Sequence, residues 1–183
     1  MSASADRLAF LLNAYNAIVR DELAARPRTG HLFRHRRLFR TTGRDVDGLW
    51  LTPDVIEHGL LRGNRRPPYG LRPLLGRDDP RLALAPERPD PRIHFALNCG
   101  ARSCPPVREY YGDRVDEQLE DATRAYLVAE SVVDRARGEV RLPYLMRLYR
   151  ADFADPRAFA AARLGEDLSG LRLRYGGYDW TLG

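Results

Sequence analysis

The residues best suited to chemistry lie in one segment, residues 94–106, which holds both cysteines of the chain. A thiolate nucleophile needs a base or a helix N-terminus to lower its pKa, and oriented N–H donors to hold an oxyanion. Cys99 precedes a glycine, whose backbone lets a substrate approach closely, and Cys104 precedes a proline that suits the first turn of a helix. The segment therefore predicts a thiol-dependent hydrolase or acyltransferase that acts on an amide or ester.

A strand predicted over residues 92–98 would place His94 and Asn98 on one face. That face suits a thiol–imidazole–amide arrangement, in which Cys99 is the nucleophile, His94 the base and Asn98 the group that orients it. An ideal strand turns Cys99 to the opposite face, so His58 is a rival base. Cys104 remains a second candidate for the reactive sulfur.

The substrate is expected to be a small molecule or a peptide. Backbone N–H groups of residues 100–103 are expected to form the oxyanion site. The side chains predicted to contact the substrate are Arg62, Arg102 and Ser103. We expect neither a cofactor nor a metal in this mechanism.

The same residues allow two other interpretations. Zinc has four candidate ligands in Cys99, Cys104, His94 and His58, although a Cys-x4-Cys spacing is looser than is usual for zinc sites. Alternatively, the chain is a ligand-binding or protein-interaction module without catalysis. A long loop predicted over residues 64–91, rich in arginine and proline, would then close over an anionic ligand.

Two long helices are expected to position these residues. Apolar residues at helical spacing predict them over residues 4–25 and 113–129. Asn13 and Asn16 share one face of the first helix, and buried amides there need backbone partners. Thr52, followed by a proline, predicts the start of a shorter helix that ends at Gly63.

The remaining pattern indicates one α+β domain over residues 1–183. A hairpin is predicted over residues 132–142, a helix over 156–164 and a closing strand over 171–175. We expect a mixed or antiparallel sheet packed against two main helices. By analogy, this arrangement is broadly like papain-type or transglutaminase-type cysteine enzymes, although fold alone does not establish chemistry.

Charge and hydropathy limit the classes of partner. All 30 cationic side chains are arginine and the net charge is +5, but most are interleaved with Asp and Glu, so a nucleic-acid partner is not expected. No apolar run approaches the roughly 20 residues of a membrane helix, and the first residues lack a signal-peptide pattern. We expect a cytoplasmic protein without membrane contact, unless a leader precedes this sequence.

Three segments resemble bacterial members of the domain-of-unknown-function 547 family: residues 8–17, 56–63 and 92–106. The ending, residues 178–182, is similar to the family's usual close, so the resemblance spans nearly the whole chain. One departure is that relatives usually carry helical sequence before the asparagine-bearing helix. Relatives commonly keep the first cysteine and replace the second by serine, which implies that Cys99 is the functional one. The resemblance implies no particular reaction.

Overall fold

The helices and strands form an α+β fold, as predicted, in a computed structural model that describes residues 3–25 and 30–182. The α-helices, in chain order, are α1 (Ala3–Ala24), α2 (Leu38–Thr41), α3 (Val115–Glu130), α4 (Tyr144–Leu148) and α5 (Pro156–Leu164). The two long helices, α1 and α3, lie close to their predicted bounds. None of the helices in these two described ranges is long and apolar enough to cross a membrane.

Two small sheets complete the architecture. Strands β1 (Arg44–Val46) and β2 (Leu49–Leu51) pair antiparallel, while β3 (Val132–Asp134), β4 (Glu139–Leu142) and β5 (Arg172–Tyr175) form a three-stranded sheet. In the latter, β4 pairs antiparallel with β3 and parallel with β5. The larger sheet is therefore mixed, in agreement with the prediction.

Helix α3 contributes to two apolar clusters. Its first half packs Val115 and Leu119 against α1 and the segment after β2. Its second half packs Tyr126 and Leu127 against β4, α4 and α5. The three-stranded sheet therefore packs against the second half of α3, whereas α1 packs against its first half.

The strand predicted over residues 92–98 is wrong. This segment begins as a 3-10 helix, Pro91–Phe95, because the Asp90 carboxylate accepts a hydrogen bond from the Arg92 N–H and Pro91 fixes the first helical residue. Its apolar residues, Ile93 among them, are buried on all sides rather than on one face. The alternation that predicted a strand was incidental.

The helix predicted after Thr52 forms a π-helix, Val55–Leu61, in which every residue is buried. The Thr52 hydroxyl accepts a hydrogen bond from the Val55 N–H, as predicted for its cap. Single-turn π-helices occur frequently at functional sites. This one turns Glu57 and His58 toward the interior.

The loop over residues 64–91 is held in place by its own contacts. The Asn64 side chain exchanges two hydrogen bonds with the Leu75 backbone, at 2.9 and 3.2 Å. Leu75 is buried against Gly59 of the π-helix. A 3-10 helix, Pro80–Leu84, interrupts the loop.

Candidate functional site

The two cysteines lie against each other, and both are partly exposed. The Cys99 and Cys104 sulfurs are 2.8 Å apart, and the Cys99 backbone N–H lies 3.1 Å from the Cys104 sulfur. The Tyr178 hydroxyl donates to the same sulfur over 3.2 Å. Hydrogen bonds of this kind stabilise a thiolate at Cys104.

These contacts separate the pKa values of the two thiols. Burial alone would raise the pKa of Cys104, but hydrogen bonds from the Cys99 thiol, the Tyr178 hydroxyl and the Cys99 N–H lower it to about 7. The hydrogen bond to Cys104, and then burial, raise the pKa of Cys99 well above its usual range. Burial also raises the pKa of Tyr178, so its hydroxyl remains a donor. Cys104 is therefore the thiol that ionises as the pH rises through neutrality, while Cys99 keeps its proton.

A tight turn brings the sulfurs together. The Asn98 side chain accepts a hydrogen bond from the Gly100 N–H and donates one to the Pro105 carbonyl, each over 2.7 Å. Gly100 has a φ of +87°, and a Cβ there would overlap the side chain of Leu23. The amide of Asn98, predicted to orient an imidazole, is thus engaged in shaping the turn.

The same turn is tied to helix α1 by a buried amide. The Asn16 side chain donates to the Ala96 carbonyl over 3.0 Å and accepts from the Asn98 N–H over 2.9 Å. Asn13 makes the equivalent pair of hydrogen bonds with the Tyr110 backbone. The prediction that these amides bind backbone groups is confirmed.

The N–H groups predicted to hold an oxyanion are mostly occupied. The Gly100 N–H is bound by Asn98, the Arg102 N–H donates to the Thr181 carbonyl over 2.9 Å, and the Ser103 N–H donates to the Asp179 carbonyl over 3.3 Å. The Ser103 hydroxyl accepts from the Asp179 N–H over 2.9 Å. Arg102, predicted to contact the substrate, is exposed. Hydrogen bonds to Asp179 and Thr181 therefore hold the turn in place.

His94 is buried in an ionic cluster. Its Nε2 lies 2.9 Å from an Asp152 oxygen, and its ring stacks on Tyr149 with centroids 3.8 Å apart. Arg62 donates to both oxygens of Asp152, over 2.5 and 3.1 Å. Burial lowers the pKa of His94, whereas its hydrogen bond to Asp152 works in the opposite direction.

His58 is also fully enclosed. Its Nδ1 faces Arg62 over 3.1 Å and its Nε2 faces the Tyr69 hydroxyl over 3.2 Å. Because Arg62 only donates, Nδ1 must accept, and Nε2 then donates to Tyr69, which in turn donates to Asp54 over 2.6 Å. Burial, with a further contribution from Arg62, lowers the pKa of His58 to about 3.

Neither imidazole joins the sulfur pair. Among residues 3–25 and 30–182, no hydrogen bond links Cys99 or Cys104 to His58 or His94. The four proposed zinc ligands do not form one cluster, since no group of three or more His, Cys, Asp or Glu side chains in the described chain is placed to hold a metal ion.

Several site residues were missed by sequence reasoning. Tyr178 lies in the recognised ending, but nothing there indicated a contact with a sulfur 74 positions earlier. Asp152 lies in irregular sequence that carried no motif. Glu57 lies beside His58 in a recognised segment, and its buried carboxylate raises the pKa of Cys99 and Tyr149, in both cases after larger causes.

Two pockets adjoin these groups. One, of about 210 Å³, opens beside the cysteine turn and is lined by Asn98, Gly100, Leu23 and Val107, among others. The other, of about 580 Å³, is bordered by the first part of the 64–91 loop and by Arg62 and Tyr149. The loop, predicted to close over an anionic ligand, borders this larger pocket, and neither Cys99 nor Cys104 lines either pocket.

Fold and site together define an α+β protein with a partly exposed pair of free thiols. The chain belongs to the family described as protein of unknown function, DUF547, whose model matches residues 1–127. Comparisons with curated proteins and with solved structures found no match. The analogy with papain-type and transglutaminase-type enzymes stays a prediction.

Proposed function

We propose that this chain carries out thiol–disulfide exchange, with Cys104 as the attacking thiolate and Cys99 as the resolving thiol. The observation that carries the proposal is the 2.8 Å contact between the two sulfurs. A pair at this distance needs little movement to form a disulfide, and both residues are partly open to solvent. The functional class stays thiol-dependent, but the role of nucleophile passes from Cys99 to Cys104.

The reaction balances as two successive displacements. The Cys104 thiolate attacks one sulfur of a substrate disulfide, which forms a mixed disulfide and releases the other substrate sulfur as a thiolate. Cys99 then loses its proton to that thiolate or to water and attacks the Cys104 sulfur. This step forms the Cys99–Cys104 disulfide and releases the second substrate thiolate. The protein dithiol is oxidised and the substrate disulfide is reduced.

The order of attack follows from the two pKa values. The hydrogen bond and the negative charge at Cys104 both contribute to the raised pKa of Cys99. Once Cys104 is in a mixed disulfide, its charge is gone and its sulfur accepts hydrogen bonds less strongly. The pKa of Cys99 therefore falls at the stage when Cys99 must attack.

The small pocket beside the turn suits a substrate segment that flanks a disulfide. Its apolar lining includes Val19, Leu23 and Val107, and Asn98 and Gly100, the neighbours of Cys99 in the chain, also line it, although Cys99 itself does not. An apolar peptide or small-molecule segment would fit such a lining. In the predicted cytoplasmic location, the surrounding thiol pool would keep the pair reduced.

Acyl transfer with Cys99 as nucleophile and a histidine base draws less support from this geometry. Both imidazoles have other partners, and three of the four N–H groups in residues 100–103 are already bound. A hydrolase or acyltransferase would need the turn to open and an imidazole to approach. Exchange needs only the two sulfurs and an incoming disulfide.

Alkylation by iodoacetamide tests the assignment, because only the thiolate attacks. We compare the intact protein with Cys104→Ser and Cys99→Ser across the pH range. We expect alkylation of Cys104 with an apparent pKa of about 7, and slow alkylation of Cys99 in the intact protein, where Cys104 still raises its pKa. Faster reaction at Cys99 would reverse the roles, and reaction of neither sulfur above the rate of a model thiol would end the proposal.

A further inference from the structure

The larger pocket holds an excess of positive charge. Its lining includes four arginines, Arg62, Arg65, Arg66 and Arg147, and no acidic residue. Among the described residues, the one carboxylate bound to them is Asp152, which Arg62 and Arg65 share. Four cations against one anion leave the pocket strongly positive.

Two of these arginines have guanidinium groups that are available to bind a ligand. Arg66 and Arg147 are exposed, and within the described ranges neither side chain forms a hydrogen bond or ion pair. Arg62, by contrast, is buried and spends its N–H groups on Asp152, His58 and the Arg66 carbonyl. Arg62 thus supplies fixed charge, while Arg66 and Arg147 have donors to offer a ligand.

The rest of the lining is apolar and partly rigid. Tyr149 is held between His94, on which it stacks, and the Arg62 guanidinium, 5.0 Å from its ring centre. Pro67, Leu148 and Tyr144 continue this surface. Leu71, which is 92% exposed, lies at the edge with no apolar cover of its own.

We infer that this pocket binds a small organic phosphate monoester, with the phosphate at Arg66 and Arg147 and the apolar body against the tyrosine and proline walls. A phosphate monoester carries close to two negative charges at neutral pH and accepts bidentate hydrogen bonds from arginine. A volume of about 580 Å³ lies within the usual range for small-molecule sites. The site is separate from the cysteine turn and does not depend on the proposed exchange activity.

Phenyl phosphate is a suitable probe, titrated calorimetrically into the intact protein at low ionic strength. We expect Arg66→Gln/Arg147→Gln to weaken its binding by at least about tenfold, since two charge-assisted contacts are lost. Arg124→Gln/Arg141→Gln removes the same charge from exposed residues outside the pocket lining and is expected to leave the affinity unchanged. Inorganic phosphate should bind more weakly than phenyl phosphate, because it lacks the apolar body.

Three results would overturn the inference. One is the absence of measurable binding by phenyl phosphate. The second is an equal loss of affinity in both double variants, which would indicate attraction by net charge alone. The third is a single-stranded DNA oligonucleotide that displaces phenyl phosphate at lower concentration, which would make the pocket part of a nucleic-acid surface. The four substituted arginines are exposed, so both double variants should fold, and thermal melting checks this.

Discussion

Cys104 is stabilised as a thiolate by two side-chain donors, which can be removed one at a time. Cys99→Ala removes the thiol donor and Tyr178→Phe removes the hydroxyl donor. We expect the pKa of Cys104 to rise from about 7 by roughly one unit in each variant, since a hydrogen bond to a charged group contributes about 1.5–3 kcal/mol. Thiolate absorbance in the ultraviolet, followed against pH, measures this shift.

Cys99→Ser is the matched control, because a serine hydroxyl can still donate to the thiolate. Its Cys104 should titrate closer to the value of the unmodified protein than that of Cys99→Ala. If Cys99→Ala leaves the titration unchanged, the sulfur contact is not what lowers the pKa.

The buried imidazole of His58 makes the stability of the folded protein depend on pH in acidic solution. Burial holds its pKa at about 3 in the folded protein, against about 6.5 in an unfolded chain. The unfolded chain therefore gains a proton below about pH 6.5, whereas the folded protein does not take one up at His58 until about pH 3. The contribution of His58 to the free energy of unfolding is complete above about pH 6.5 and is lost as the pH falls from there to about 3. We expect the free energy of unfolding to fall by several kcal/mol, as measured by urea denaturation.

His58→Gln removes the titrating group but keeps a donor for Tyr69 and an acceptor for Arg62. We expect a shallower decline of stability between neutral pH and about pH 4 in this variant. Asp152, whose pKa is lowered by His94 and Arg62 despite burial, adds its own loss only in more acidic solution. An identical pH profile in His58→Gln and the unmodified protein would show that His58 is not held neutral by the fold.

Among the helices, three begin at an Asp-Pro pair, a capping pattern that is separate from the periodicity of apolar residues. Three Asp-Pro pairs each open a helix: Asp79-Pro80, Asp90-Pro91 and Asp155-Pro156. In each, the aspartate side chain accepts a backbone N–H and the proline occupies the first turn. Only α5 was predicted correctly at such a pair. Around residue 92, an alternation of apolar residues outweighed the capping pattern, and the prediction of a strand followed.

The π-helix and the 64–91 loop meet at a close contact between Gly59 and the Leu75 side chain. A Cβ on Gly59 would lie 2.8 Å from a Leu75 methyl carbon. We expect Gly59→Ala to cost about 1–3 kcal/mol by overpacking, but much less in a Leu75→Ala background, where the obstructing side chain is gone. Urea denaturation of both single variants and the double variant measures the coupling.

Gly76→Ala is the control for this cycle, because a Cβ there meets nothing within 4 Å and its φ is not in the left-handed region. Its effect on the free energy of unfolding should be small. A cost of Gly59→Ala that is the same with and without Leu75 would show that the loop does not pack on the π-helix as described.

Across the whole molecule, local and long-range features differed in how well the sequence predicted them. Helices α1, α3 and α5 and the β3–β4 hairpin could be predicted because periodicity, caps and turns are written locally. The partners of the site could not, since Asp152 meets His94 and Tyr178 meets Cys104 across 58 and 74 positions. Chain folding, rather than any motif, sets those distances. For the two cysteines, the sequence showed only how far apart they lie in the chain, and not that their sulfurs are in contact.

The central claim concerns the two sulfurs as one redox unit, and equilibration of the intact protein with reduced and oxidised glutathione tests it most directly. Free-thiol counts and intact mass should show both thiols disappearing together in a monomer, with the loss of two hydrogens, and dithiothreitol should restore them. In Cys99→Ser, the mixed disulfide with glutathione should accumulate at Cys104. Thiols that stay free at every glutathione ratio, or a glutathione adduct at Cys99 in preference to Cys104, would contradict the account.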